Sequence, residues 1–136
     1  MLKFMLDTNI CIFTIRNKPE AVRLALNHHQ GQLCVSMVTA MELVYGAEKS
    51  AVPARNQPVI EGFLARLEVL DYDRAAAANT GQLRAELARV GTPIGPYDAM
   101  IAGHARSQGL VLVTNNTREF SRVPGLRIED WSQAAA

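Results

Sequence analysis

Apolar residues fall along this chain in short runs separated by polar, glycine-bearing or proline-bearing breaks. The first run, Leu2 to Leu6 (LKFML), stops at Asp7-Thr8-Asn9, which predicts a short buried strand ending on polar residues. Ile10 to Ile15 reads as a helix or a second apolar segment, and Pro19 to His29 as a helix with Val22, Leu24, Ala25 and Leu26 turned inward. After a turn at Gln30-Gly31-Gln32, Leu33 to Ser36 predicts a second strand and Thr39 to Gly46 a helix. Lys49 to Pro58 reads as a loop or helix start, and Val59 to Leu67 as helix. Pro58 is best placed near a first helical turn, because deeper inside it removes a hydrogen bond and crowds the preceding turn.

Glu68 to Tyr72 alternates polar and apolar residues and predicts a third strand. Asp73 to Val90 carries the clearest helical pattern, with Ala77, Leu83 and Leu87 among its apolar positions and Gly91 just past its end. Gly91 to Pro96 (GTPIGP) is a loop, Tyr97 to Gln108 a helix stopped by Gly109, and Leu110 to Thr114 the most strand-like run of all. Thr117 to Phe120 fits a single turn and Leu126 to Ile128 a last edge strand. Strands alternating with crossover-length helices predict an α/β fold, a mostly parallel sheet sandwiched by helices. Residues 1–132 form one domain on this reading, and 133–136 an unstructured tail.

Composition adds exclusions. At 136 residues, 49% apolar and 20% charged, the chain suits one domain with a real core and excludes disorder. Apolar runs such as Leu110 to Val113 fall far below the ~20 residues of a membrane-spanning helix, and the opening MLKFMLDTN meets an acid too early for a signal peptide. A cytoplasmic protein is expected. Cys11 and Cys34 have neither C-x-x-C spacing nor a His pair at zinc-finger distance, and both sit among apolar residues, as core thiols do. A formal charge of +1 excludes a generally basic nucleic-acid binder, although 11 of the 14 basic residues are Arg, whose planar fork suits phosphate.

Candidate chemistry lies just after the strands, because ligands of a parallel sheet bind outside its carboxyl edge. Asp7 follows the first strand, Asn115 and Asn116 follow the strand 110–114, Glu42 lies in the helix after the second strand, and Asp98 lies in the first turn after GTPIGP. Each acid has a plain structural reading. Asp7 is a good N-cap, Thr39-x-x-Glu42 spells a capping box, and Asp98 suits a helix dipole. One hypothesis accounts for all three acids together, a carboxylate cage for a divalent cation. Crowded carboxylates take up protons or bind cations, and an all-oxygen set favours Mg²⁺ or Mn²⁺ over Zn²⁺. His28 and His29, adjacent on a helix, cannot chelate together and read as surface residues, while His104 faces another side of its helix from Asp98 and is given no catalytic task.

LKFMLDTNI, VTAMELVYG, PYDAMIAGHA and VTNNTREF, in this order, resemble the successive motifs of PIN-domain nucleases, and more narrowly VapC toxins of bacterial type II toxin–antitoxin systems, from Met1 to about Trp131. The resemblance implies a PIN-like α/β/α sandwich and Mg²⁺-dependent endoribonuclease activity. It implies Asp7 and Asp98 as the main metal ligands, with Glu42 and Glu119 as further acids of the catalytic set. Thr8 and Thr114 would supply hydroxyls at the rim. The pattern departs at one point, since many PIN domains carry Asp where Asn116 stands; here Asn116 is expected to orient water and Glu119 to compensate.

The likeness to enterobacterial-type VapC toxins implies initiator tRNA as substrate, cut in its anticodon stem-loop, a toxin homodimer within a larger assembly, and a VapB-type antitoxin whose C-terminal segment wraps the toxin. Val59 to Leu67, with Ile60, Phe63 and Leu64 at helical spacing, is a candidate groove for such a segment. From Arg84 to Arg127 six Arg face Glu86, Asp98 and Glu119, a local excess that suits a folded RNA, and Arg118 and Arg122 are the contact candidates. The competing reading is a catalytically inactive PIN scaffold that binds RNA or a protein partner. A phosphate-binding module of the receiver type is disfavoured, because no Gly-rich loop follows any strand and no Lys sits in the last strand's exit turn.

Overall fold

The computed structural model describes residues 1–133; the rest of the predicted tail lies outside the described residues. Five short strands, β1 (Phe4–Leu6), β2 (Leu33–Ser36), β3 (Glu68–Leu70), β4 (Val111–Val113) and β5 (Ile128–Glu129), form one sheet in the order β3-β2-β1-β4-β5. All four pairings are parallel. Among the described residues seven helices join them: α1 (Thr8–Arg16), α2 (Glu20–His28), α3 (Met37–Glu48), α4 (Pro53–Leu64), α5 (Arg74–Arg89), α6 (Pro96–Ser107) and α7 (Thr117–Phe120).

Strand residues alternate between two cores. Met5, Cys34 and Leu112 pack with Leu83 and Leu87 of α5 and Ile101 of α6 on one face. Phe4, Leu6, Val35, Val111 and Val113 pack with Ile10, Cys11, Val22 and Leu26 of α1 and α2 on the other. This two-residue alternation in strands buried on both sides produces the predicted three-layer sandwich. No helix among the described residues is long and apolar enough to cross a membrane.

Several faces differ from the sequence expectation. Leu24 is 55% exposed, because Val22 and Leu26 define the buried stripe of α2 and residue 24 points away from it. In α5 the inward positions are Ala76, Thr80, Leu83 and Leu87, and Ala77 is exposed. Pro58 lies inside α4, which begins five residues earlier at Pro53. Ala54 and Pro58 are both exposed, so water can reach the carbonyl that Pro58 leaves without a partner. His29 is half-buried rather than on the surface, stacked on Trp131 at 4.9 Å and lying 4.6 Å from Phe4.

Two contacts fix the helices that flank the site. At Gly103 α6 crosses α5 so closely that a Cβ would stand 2.2 Å from Thr80 Oγ1 and 2.8 Å from its Cα, so only glycine fits. Fully buried His104 lies with Nδ1 2.8 Å from Ser36 Oγ, which ties α6 to the end of β2.

Candidate active site at the carboxyl edge of the sheet

Parallel register brings residues from distant parts of the chain into one row. Leu6 pairs with Val113, and Val113 with Glu129, so the next residues, Asp7, Thr114 and Asp130, leave the sheet side by side. The backbone continues this alignment, with Asp7 N–H donating to Val113 O at 3.0 Å and Thr114 N–H to Glu129 O at 2.9 Å. The row sits where chain order reverses about β1, with β2 on one side and β4 on the other.

Asp7 is both a cap and a site residue. Its Oδ1 accepts from Ile10 N–H at 2.9 Å, closing the N-terminus of α1, and the Thr114 hydroxyl also donates to this carboxylate. The side chain is 4% exposed, and burial lifts its pKa from 3.8 to about 6. The two hydrogen bonds oppose that rise, while the negative charges of Glu42 and Asp130 add to it.

Glu42 is not part of a capping box. Ser36 is the N-cap of α3, accepting from Val38 N–H at 3.1 Å, so Thr39 already lies inside the helix. Glu42 reaches across to α1 instead, where its Oε1 accepts from the Thr8 hydroxyl at 2.7 Å, and Thr39 Oγ1 lies 3.3 Å from that hydroxyl. Asp98 lies in the first turn of α6, whose N-cap Gly95 offers no side-chain cap. Burial raises its pKa to about 6, as do its hydrogen bond with Glu119 and the charges of Glu119, Glu42 and Asp7. Glu119, on α7, accepts from Asn116 Nδ2 at 2.9 Å, and Asn116 N–H donates to Thr114 Oγ1 at 2.9 Å.

The four sequence-derived acids thus converge at one edge of the sheet, with Thr8, Thr114 and Asn116 bonded among them. Asp130, half-buried beside Asp7, is a fifth acid that the sequence reading missed. The apolar pattern ends the last strand at Ile128, where the rule that found Asp7 points to Glu129; β5 instead runs Ile128–Glu129, which puts Asp130 in the position after the strand. Three of the six arginines from the predicted patch bond groups of the protein itself. Arg106 is spent on structure, bonding Asn79, Glu86 and the carbonyl of Pro124. Arg127 donates to Gly109 O and Arg122 to Pro93 O at 3.3 Å, while Arg118 is exposed near the acids on α7.

Among the described residues, no three His, Cys, Asp or Glu side chains are grouped to hold a metal ion by themselves. The donor set nonetheless fits a hard divalent cation. It is all oxygen, no Lys or Arg among the described residues bridges to these carboxylates, and burial and mutual repulsion raise the pKa of two of them to about 6, so their charged forms carry a cost that a bound cation would relieve. Mg²⁺ takes one or two carboxylates and keeps several waters, so it needs no closed protein cage.

Residues 4–126 match the PIN domain. The chain is 71% identical over 132 residues to the tRNA(fMet)-specific endonuclease VapC of Shigella flexneri, covering 97% of this chain and 100% of the relative. The chain belongs to the PIN-domain family, in its VapC branch.

VapC2 of Haemophilus influenzae, named a ribonuclease, shares 53% identity over 96% of this chain and 99% of its own length. Among solved structures, DNA-bound VapBC from Salmonella typhimurium superposes with a TM-score of 0.93 at 69% identity, covering 96% of this chain and 99% of that chain. VapBC2 from Rickettsia felis follows the same fold with a TM-score of 0.90 at 37% identity, over 96% and 99% of the two chains.

Proposed function

We propose that this PIN domain is the toxin of a type II toxin–antitoxin system, a Mg²⁺-dependent endoribonuclease whose substrate is initiator tRNA, cut in the anticodon stem-loop. The observation that carries the reading is the convergence of Asp7, Glu42, Asp98 and Glu119, two of them with pKa values raised to about 6, on one edge of the sheet. Relatives named as ribonucleases, and two named as specific for tRNA(fMet), support the choice of RNA.

Asp7 and Asp98 are the residues that would hold Mg²⁺, and the bound ion would supply charge neutralisation of the scissile phosphate and a lowered pKa for an attacking water. The remaining steps belong to the chain. The Thr114 hydroxyl and Ile10 N–H fix the Asp7 carboxylate, so that its orientation does not depend on the substrate. Thr8 holds Glu42 toward the same space from α3. Glu119, beside Asp98, is placed to accept a proton from the attacking water. Exposed Arg118, one residue away, is placed to meet the RNA backbone.

The same proposal includes a VapB-type antitoxin and a toxin homodimer within the larger complex. VapBC complexes among the structural neighbours support the antitoxin. A groove of about 620 Å³ between α1, α2 and α4, where Ile15, Leu26, Val59 and Phe63 alternate with Asn17, Asn27, Arg23 and Arg66, suits an amphipathic segment of such a partner. Met37, Met41, Val44 and Tyr45 form an exposed apolar stripe along α3 that suits a second copy of the chain. Sequencing the RNA ends that accumulate on brief expression tests the substrate. New ends confined to the initiator tRNA anticodon region are expected, and no new ends would favour the inactive scaffold.

A further inference from the structure

The position where many PIN domains carry Asp is here Asn116, and its side chain does something a carboxylate cannot. Asn is a favoured N-cap residue, and Asn116 is the N-cap of α7, yet its side chain makes no capping bond. It turns instead to Glu119, with Nδ2 2.9 Å from Oε2. Only the NH₂ end of the amide can face a carboxylate at that distance, because the oxygen end would repel it. Asn116 is itself held by its backbone N–H, which donates to the fully buried Thr114 hydroxyl at 2.9 Å, and that hydroxyl donates onward to Asp7. A hydrogen-bonded chain therefore runs from Thr114, beside Asp7, through Asn116 to Glu119, which stands beside Asp98.

We propose that Asn116 is a positioning residue whose neutral amide locks Glu119 beside Asp98, and that this chain requires an uncharged donor at position 116. An Asp there would lose the donor, place a further negative charge against Glu119, and offer its oxygens to the first N–H groups of α7 instead. The inference rests on the active-site reading above and alters the role given to Asn116, from orienting water to fixing an acid.

A double-mutant cycle tests it with two readouts, RNA cleavage in Mg²⁺ and Mn²⁺ affinity by calorimetry on the full chain. Asn116→Ala and Asn116→Asp are each expected to lower kcat about tenfold in the wild-type background, the size of one charge-assisted hydrogen bond, with KM little changed. In a Glu119→Gln background both substitutions should have almost no further effect on kcat, and Asn116→Ala should no longer change Mn²⁺ affinity. Asn116→Gln, which keeps the NH₂ donor on a longer arm, should recover part of the loss. Full additivity of the Asn116 and Glu119 effects, or an Asn116→Asp variant as active as the parent, would overturn the proposal. Should the parent cut no RNA at all, the functional reading fails, while the Mn²⁺ cycle still decides whether residues 116 and 119 act as a unit.

Discussion

Asp7 concentrates the physical conflict of the site in one side chain. One oxygen closes α1, the residue is almost fully buried, and two further acids stand near it. Asp7→Asn keeps a capping side chain and removes the charge, so cleavage should fall to background while the metal-free melting temperature stays level or rises. Asp98→Asn should behave the same way, and loss of the folded circular-dichroism signal in either would contradict the account. The shared pKa shifts have a definite sign. Both carboxyls titrate near 6 in the folded chain against an ordinary 3.8, so between those values the folded state holds more protons than the unfolded one. Stability of the metal-free protein should therefore drop as pH rises from about 4 to about 6, from the contribution of these two groups. Thermal melts in EDTA measure this, and added Mg²⁺ should raise the melting temperature more at pH 7 than at pH 5.

At the scale of elements, the site is held by how α3 and α6 are tied to the sheet. The α5 and α6 backbones meet at Gly103, where a methyl group has nowhere to go. Gly103→Ala should destabilise the fold by about 1–3 kcal/mol, as overpacking does, and should also lower cleavage, since α6 carries Asp98. Urea unfolding with a parallel activity assay checks both. The elements themselves were largely legible from the sequence, because short buried strands between crossover helices leave a clear apolar pattern. Their faces were less so. Leu24 and Ala77 lie within apolar stretches but off the buried stripe, and nothing local distinguishes them from Val22 or Ala76. Thr39 and Glu42 spell a capping box that the chain does not use, because Ser36, at the end of β2, starts the helix three residues earlier. Asp7 was found because it follows a strand, Asp98 because it opens a helix, and Glu42 because it lies in the helix that follows β2 at the sheet's carboxyl edge. Asp130 was missed because its proximity to Asp7 depends on the parallel pairing of a two-residue strand.

For the whole molecule, the near-neutral charge of +1 describes no single surface. The acids gather at one edge of the sheet, and three of the arginines that the sequence grouped together bond the protein itself, with Arg106 spent on joining α6 to α5 and to the loop at Pro124. Bound Mg²⁺ would thus supply much of the positive potential that the scissile phosphate meets, with Arg118 contributing from the rim. The exposed stripe on α3 belongs to the same scale, since it runs along the helix that carries Glu42. Replacing Met41 and Val44 together by Glu should halve the solution mass measured by light scattering if that stripe joins two copies, and an unchanged mass would place the interface elsewhere.

The central claim is that carboxylates at the carboxyl edge of the sheet hold a metal and cut RNA. The most direct measurement is cleavage of tRNA by the purified, antitoxin-free chain in Mg²⁺, in EDTA, and after Mg²⁺ is restored, with Asp7→Asn run alongside. Cleavage that stops in EDTA, returns with Mg²⁺ and is absent in Asp7→Asn is the predicted result. Equal cleavage in EDTA, or by Asp7→Asn, would contradict it.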